Sequence, residues 1–390
     1  MASGSPRGWP SATSRSASAE AKRASMSNTD FEAAKVLFLE GLAELKAGRH
    51  AQAEQRFMAS LELLPGRIST LVNLAATRLA LGRPHDSLAT ADAVLALEPE
   101  NADALFHRAN ALAELGRHPE ALTAFQTVCR IEPGQAQAWS QAGSMLRESG
   151  RLDEAAYAFE QAIAHGADPD LHRYYLAAVR GDGAPPSAPA RYVQGLFDAY
   201  AGEFDAHLVQ MLGYSAHRTV VELLPPSRSW RSALDLGCGT GLCGALLAER
   251  VERLVGVDLS AGMLEQARAT GVYASLLQAD LVEHLRATDE RHDLVLAADV
   301  FIYVGALKPV FEQVARVLET GGLFCFSAEC ASDEARDIEL GTSLRYAHSG
   351  RYLAALAQGH GFEVERIVEA PIREEQRRPI PGRFMRLRRS

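Results

Sequence analysis

Four acids and a cluster of glycines carry the chemistry that can be read from this chain. Asp235 precedes Gly237, Gly239 and Gly241 in the run SALDLGCGTGLCG that spans Ser232–Gly244. A short apolar segment ends in a carboxylate, and a glycine-rich turn then opens into a helical pattern. Glycines lack the Cβ atoms that would hold a ligand off the backbone. The start of the following helix aims unpaired N–H groups at whatever lies above the strand end. Asp258 closes LVGVD, Asp280 closes QAD and Asp299 closes DLVLAAD, so acids recur at the ends of three further apolar runs. That arrangement describes a nucleotide-type site along the carboxyl edge of an α/β sheet.

Two ligands compete for the turn. Gly239, Gly241 and Gly244 match the dinucleotide fingerprint, a weak signal alone. Asp235, however, sits where a pyrophosphate would approach. Like charges about 4–6 Å apart cost on the order of 1–4 kcal/mol at intermediate dielectric. Asp258 also follows Gly244 by only 14 residues, where a ribose-binding acid of a dinucleotide fold is expected about 20 residues on. S-adenosylmethionine carries an ammonium and a sulfonium and no phosphate, so the same carboxylate attracts it. The charge argument favours S-adenosylmethionine over a nicotinamide dinucleotide.

The segment LDLGCGTG at 234–241 resembles motif I of the class I (seven-strand) S-adenosylmethionine-dependent methyltransferases. GVDLS with Met263, QADL at 278–281 and DLVLAAD at 293–299 fall where that family has its next three motifs. The resemblance covers residues 191–390. It implies a cofactor site made of Asp235, Gly237, Gly239, Gly241, Asp258, Leu259, Met263, Asp280 and Leu281. Asp258 would accept from both ribose hydroxyls, Leu259 and Met263 would lie against the adenine, and Asp280 would accept from its amino group, with Leu281 closing the slot. Each acid can instead cap the next helix. A base is required only if the acceptor must lose a proton. Candidates are Asp299 and Tyr303 after the fourth strand and His348 after the fifth, His348 being able to titrate near neutral pH. Arg345 could hold an acidic substrate. His348 has a plain alternative as a cap for the helix starting near Ser349. The chain lacks the Asn/Asp-Pro-Pro-Tyr motif of amino-methylating nucleic-acid enzymes and the double-Glu pattern of arginine methyltransferases.

These groups need a scaffold. Strands are expected near 232–236, 254–258, 274–279, 293–298, 322–327, 362–369 and 383–388, with helices between the first five. The last two lack room for a crossover helix and should form an antiparallel hairpin. The C-terminal arginines Arg373, Arg377, Arg378, Arg383, Arg386, Arg388 and Arg389 read as solvated faces of that edge hairpin, or as a patch steering an acidic substrate. Ahead of the first strand, residues 191–224 interleave aromatics with acids, from Tyr192 and Phe197 to Tyr200 and Phe204. By the same resemblance this lead-in would fold over the cofactor, with Tyr192 and Tyr200 as contacts.

Residues 29–180 repeat. Gly48, Gly82, Gly116 and Gly150 are 34 apart, each followed by Arg, and Pro65, Pro99 and Pro133 keep the same period. Small residues follow at 53, 87, 121 and 155, and Phe57, Ala91, Phe125 and Phe159 four later. This is the period of tetratricopeptide repeats, helix–turn–helix units that stack into an α-solenoid. Four repeats and a capping helix from Asp170 to Val179 are expected. By resemblance to that family, Phe38, Val72, Phe106 and Ser140 would form one row of the concave groove, apolar and without paired basic residues. It suits an apolar or helical peptide partner, or packing against the rest of the chain. Residues 181–190 (GDGAPPSAPA) read as the linker to a domain at 191–390.

The fold expected is therefore an α-solenoid followed by a Rossmann-like α/β seven-strand methyltransferase domain. Residues 1–28 read as a disordered tail, Ser/Ala/Arg-rich with no acid before Glu20, or as an over-long start preceding Met26. The net charge of −9 gives no electrostatic footing for general nucleic-acid or acidic-membrane binding. Five cysteines without metal-type spacing suit a reducing compartment, and no apolar run reaches the ~18–20 residues that span a bilayer. A cytoplasmic location without a metal follows. The reading is a methyltransferase with a repeat module that binds a protein or peptide, its acceptor a protein or a small molecule. Its rivals are a non-catalytic repeat scaffold that retains the cofactor fold, and a nicotinamide dehydrogenase.

Overall fold

The computed structural model describes residues 28–200, 202, 213–375 and 378–390, and the side chains of residues 199 and 200 are not described. Residues 1–27 of the expected N-terminal tail, Phe204 and Arg377 lie outside the described residues, as does the Tyr200 side chain. The chain divides into two compact units, one ending at Leu146 and the other starting at Arg147.

The first unit is helical: α1 (Asn28–Lys46), α2 (His50–Leu63), α3 (Ile68–Ala80), α4 (Pro84–Leu95), α5 (Ala102–Glu114), α6 (His118–Ile131) and most of α7 (Ala136–Glu148). Gly48, Gly82 and Gly116 have φ of +73°, +67° and +72°. The turn between paired helices thus takes the left-handed conformation that glycine adopts without steric cost. The small residues five places on, Ala53, Ser87 and Ala121, are fully buried. Ser87 keeps its hydroxyl satisfied by donating to the Ala75 carbonyl at 2.8 Å. Close packing also explains Gly41, where a Cβ would lie 2.6 Å from the Phe57 ring. Phe38, Val72, Phe106 and Ser140 are all half-buried. Phe38 and Phe106 lean on Phe57 and Phe125, with ring centroids 5.9 and 5.7 Å apart. Half of this row is engaged within the unit's own core.

The second unit begins with α8 (Leu152–Ala164) and α9 (Pro169–Arg180) and continues through α10 (Ala190–Tyr200) and α11 (Ala216–Glu222). Its sheet then alternates with helices: β1 (Trp230–Leu236), α12 (Leu242–Leu247), β2 (Val251–Asp258), α13 (Ala261–Ala269), β3 (Ser275–Gln278), α14 (Leu281–Ala287), β4 (His292–Ala297), α15 (Lys308–Val317) and β5 (Leu318–Cys330). β6 (Ile338–Leu340), β7 (Tyr346–His348), α16 (Gly350–Gly359), β8 (Phe362–Glu375) and β9 (Arg378–Arg389) complete it. Strands run β3-β2-β1-β4-β5 in parallel, then β9 and β8 antiparallel. This is the doubly wound sheet with the C-terminal hairpin expected above. β1, β2 and β4 read as near-continuous apolar runs because helices cover both faces, and Leu234, Leu236, Val257, Val295 and Ala297 are fully buried.

Two features go beyond what the sequence shows. A short antiparallel pair, β6 with β7, joins β5 at Glu329 and Cys330, past the end of β4. With three residues per strand, neither carries a readable alternation. The stretch 181–190, read as a linker, is also held by hydrogen bonds. Ala188 donates to the Tyr303 carbonyl at 2.9 Å, Ala306 to Pro186 at 2.8 Å, and the Tyr346 hydroxyl to Pro185 at 2.7 Å.

Candidate active site

β1 ends beneath the glycine turn, and Asp235 there is 1% exposed. Gly237, Gly239 and Gly241 all have positive φ, at +64°, +54° and +93°. They differ in what surrounds them. A Cβ on Gly237 would strike Val300, whereas one on Gly239 would meet nothing within 4 Å. Gly239 therefore faces open space, a cavity of ≈ 400 Å³.

The cavity brings together nearly all of the expected cofactor residues: Asp235, Gly237, Gly239, Asp258, Leu259, Met263, Asp280 and Leu281 line it. Gly241 does not. It starts α12, and its N–H donates to the Cys238 carbonyl at 2.9 Å. Asp258 accepts from the Gly239 N–H with one oxygen and from the Ser260 N–H with the other, both at 2.9 Å. A carboxylate offers about four lone-pair sites, more than its backbone donors occupy. Asp280 has two roles, since it lines the cavity while its Oδ1 caps α14 through Val282 and Glu283. The helix-cap reading and the binding reading are compatible there.

Burial pushes the Asp235 carboxyl up to about 7, with Asp258 adding to the rise and a hydrogen bond from Tyr273 opposing it. Burial raises the Asp258 carboxyl as well, against its three backbone donors. Two desolvated acids beside an open space attract a cation, which recovers the charge stabilisation lost on leaving water. Anionic phosphates would meet the opposite condition. The residues present fit S-adenosylmethionine: a buried acid for positive charge, a second acid with remaining acceptor capacity, and Leu259, Met263 and Leu281 for a flat apolar ring.

Of the three catalytic candidates, Asp299 and Tyr303 line the cavity and His348 does not. Asp299 has φ +57°, unusual for a non-glycine residue. Its backbone N–H donates to Ser327 Oγ at 2.8 Å. Both of its carboxylate oxygens face Arg373 Nη1, at 3.2 and 3.3 Å. Burial pushes the Tyr303 hydroxyl up to about 12, so it remains a neutral donor and acceptor. His348 is a correction. It lies in β7, fully buried, with Nε2 2.9 Å from the Gly305 carbonyl, and burial pushes it down to about 4. The cap of α16 is Ser349, which accepts from Tyr352. His348 belongs to the core, unable to reach the cavity.

The C-terminal arginines also need correction. Arg373 is 2% exposed and lines the cavity; it is not on a solvated face. It bonds Asp299, Glu329 and Glu375 together. Arg345 pairs with the same Glu375, hydrogen-bonds Tyr303 and also lines the cavity. The lead-in helix α10 covers the site, but through Val193, Leu196 and Phe197; Tyr192 does not line the cavity. Asp198 ties α10 down by accepting from Ser260 Oγ and the Gly262 N–H at the start of α13. Tyr214 and His217 also line the cavity, their rings stacked 5.2 Å apart. Sequence reasoning missed both, because a short helix before the first strand carries no motif.

Residues 233–322 match the family model described as a methyltransferase domain, and residues 72–136 match the tetratricopeptide repeat. The chain carries a methyltransferase domain preceded by tetratricopeptide repeats. Over 100 residues the chain is 34% identical to a malonyl-(acyl-carrier protein) O-methyltransferase of Hamiltonella defensa, covering 26% of this chain and 38% of that one. It is 36% identical over 151 residues to human methyltransferase-like protein 27, covering 35% of this chain and 57% of that one. These matches thus span 38% and 57% of the two relatives' lengths. Among solved structures, a Burkholderia thailandensis 1,6-didemethyltoxoflavin-N1-methyltransferase with bound S-adenosylhomocysteine is 19% identical at TM-score 0.42, covering 54% of this chain and 94% of that one. In the methyltransferase domain, the matched segment runs from β1 into β5 and contains the glycine turn and all four strand-end acids.

Proposed function

We propose that this protein is an S-adenosylmethionine-dependent methyltransferase whose acceptor brings an available lone pair, a carboxylate being the chemistry that fits best. The observation carrying the cofactor assignment is Asp235, a desolvated acid under a glycine turn that opens onto the cavity. Asp258 and Asp280 would hold the ribose and adenine, with Leu259, Met263 and Leu281 against the ring. Bound there, the cofactor supplies a methyl group whose bond to sulfur breaks as the acceptor's lone pair forms the new one, leaving S-adenosylhomocysteine.

The protein's own residues then align the acceptor and exclude water. Leu196 and Phe197 of α10 form the apolar cover. Asp299 is engaged by Arg373, and the Tyr303 hydroxyl holds its proton at neutral pH. Neither is arranged to take a proton from an alcohol, so an acceptor already ionised is favoured. Arg345 and Tyr303 are donors on that wall. Several relatives, including those of Hamiltonella defensa and Salmonella typhimurium, bear the name malonyl-(acyl-carrier protein) O-methyltransferase, which is methylation at oxygen of a carrier-bound acid. The repeats would serve as the docking module for such a protein or carrier, in the cytoplasm. No helix among the described residues is long and apolar enough to cross a membrane.

The test uses tritium-labelled S-adenosylmethionine with the full chain and malonyl-acyl carrier protein. Label recovered as a base-labile methyl ester supports the proposal. Cofactor binding without transfer to this or any lysate fraction favours a scaffold, and binding of NAD in place of S-adenosylmethionine favours a dehydrogenase.

A further inference from the structure

Tyr273 lies between α13 and β3, outside every motif singled out in the sequence. Its hydroxyl donates to Asp235 Oδ2 at 2.7 Å. Three glycines make room for its ring. A Cβ on Gly244 would lie 2.5 Å from the phenol oxygen, one on Gly256 2.9 Å from a ring carbon, and one on Gly241 3.0 Å from another. Two of these, Gly241 and Gly244, are the positions that mimic a dinucleotide fingerprint. Here they accommodate a side chain instead of a pyrophosphate.

We propose that Tyr273 is a positioning residue for the methyl donor: its phenol, seated in the slot left by Gly241, Gly244 and Gly256, holds the Asp235 carboxylate in place as the cavity's cation-binding group. This rests on the S-adenosylmethionine reading and adds to it a residue and a pH dependence. Asp235 is surrounded by few charges. Asp258 at the end of β2 faces it, with Cys238 in the turn, Cys243 on α12, and Tyr214 and His217 from the lead-in. The two side chains that act most on its carboxyl, Tyr273 and Asp258, are not cations. The neutral form is therefore accessible near pH 7 in the free protein, and a cationic donor requires the ionised form. Binding below that pH must expel a proton, and the Tyr273 hydrogen bond lowers the pH at which the carboxylate ionises.

Isothermal titration calorimetry of the full chain with S-adenosylmethionine and with S-adenosylhomocysteine, from pH 5.5 to 8.5 in buffers of differing ionisation enthalpy, tests this. The wild type should lose affinity as pH falls through about 7, approaching tenfold per pH unit for one linked proton, with release of about one proton per donor bound. In Tyr273→Phe, which keeps the ring and loses the donor, the midpoint should move to higher pH while affinities converge at the alkaline end. Gly244→Ala, which crowds the phenol off Asp235, should move it in the same direction. A uniform loss at every pH, with the midpoint unmoved in both variants, would mean Tyr273 only packs, and the proposal falls. A pH-independent wild type overturns it while leaving the cofactor assignment intact. Absence of binding by the wild type at any pH overturns both.

Discussion

Arg373 Nη1 lies 3.2 and 3.3 Å from the two carboxylate oxygens of Asp299, across 74 residues of sequence. The pair fastens the C-terminal hairpin to the loop after β4, and Glu329 of β5 and Glu375 complete the shell. Removing the guanidinium leaves buried carboxylates facing one another. Arg373→Met should therefore destabilise the second unit by about 3–5 kcal/mol. Urea denaturation followed by tryptophan fluorescence measures this, because Trp230 is buried in β1. A loss below about 1 kcal/mol would place this network among weak surface pairs.

Gly239→Arg inserts a cation and a long side chain into the open space above the turn, where no neighbour now lies within 4 Å. Binding of S-adenosylmethionine should be abolished while helical circular dichroism is retained, since the intrusion is local. Unchanged affinity would remove the turn from the site.

Tyr174 of α9 is fully buried, and its hydroxyl donates to the carbonyl of Leu344, a residue with φ +64°. Leu344 immediately precedes Arg345 on the cavity wall. Tyr174→Phe leaves that carbonyl without its donor, at a cost of about 1–3 kcal/mol. The urea midpoint should fall accordingly, and the labelled-methyl assay should lose acceptor turnover while donor affinity holds. Equal loss of both would assign Tyr174 to general stability.

His348 and His292 are buried, and burial pushes each down to about 4. Below the unfolded value of about 6.5 the unfolded chain takes up protons that the native chain refuses. Stability should therefore fall with pH from about 6.5 toward 4, by up to about 1.4 kcal/mol per unit for each histidine. Asp235, pushed up to about 7, acts in the opposite sense. A native carboxyl that binds a proton the unfolded chain lacks gains stability as pH falls from about 7 toward 4. Comparing His348→Gln with the wild type isolates one term: the gap in urea midpoint should narrow on acidification. A constant gap from pH 7 to 5 would contradict a neutral, buried His348.

Much of this was legible in the sequence, for identifiable reasons. The 34-residue period survives because each turn demands a left-handed residue, and the strand-end acids stand out because they interrupt apolar runs. What stayed hidden depends on long-range geometry. An arginine in a C-terminal hairpin reads as an exposed charge, yet β8 is 14 residues long and shifts register between Pro371 and Arg373, which carries Arg373 into the site. His348 looked catalytic because β6 and β7 are too short to announce themselves. Tyr273 had one available signal, Gly256 in the middle of β2, since a glycine inside a strand often marks a close approach.

β5 has a consequence for how this protein can change. Ser327 holds the Asp299 backbone and Glu329, two residues on and therefore on the same face, holds Arg373. The same strand carries β4, β9 and β7. With one rail bearing so many attachments, a substitution within it would disturb three neighbouring strands and the Asp299–Arg373 pair at once, so this rail is the part of the domain least free to vary.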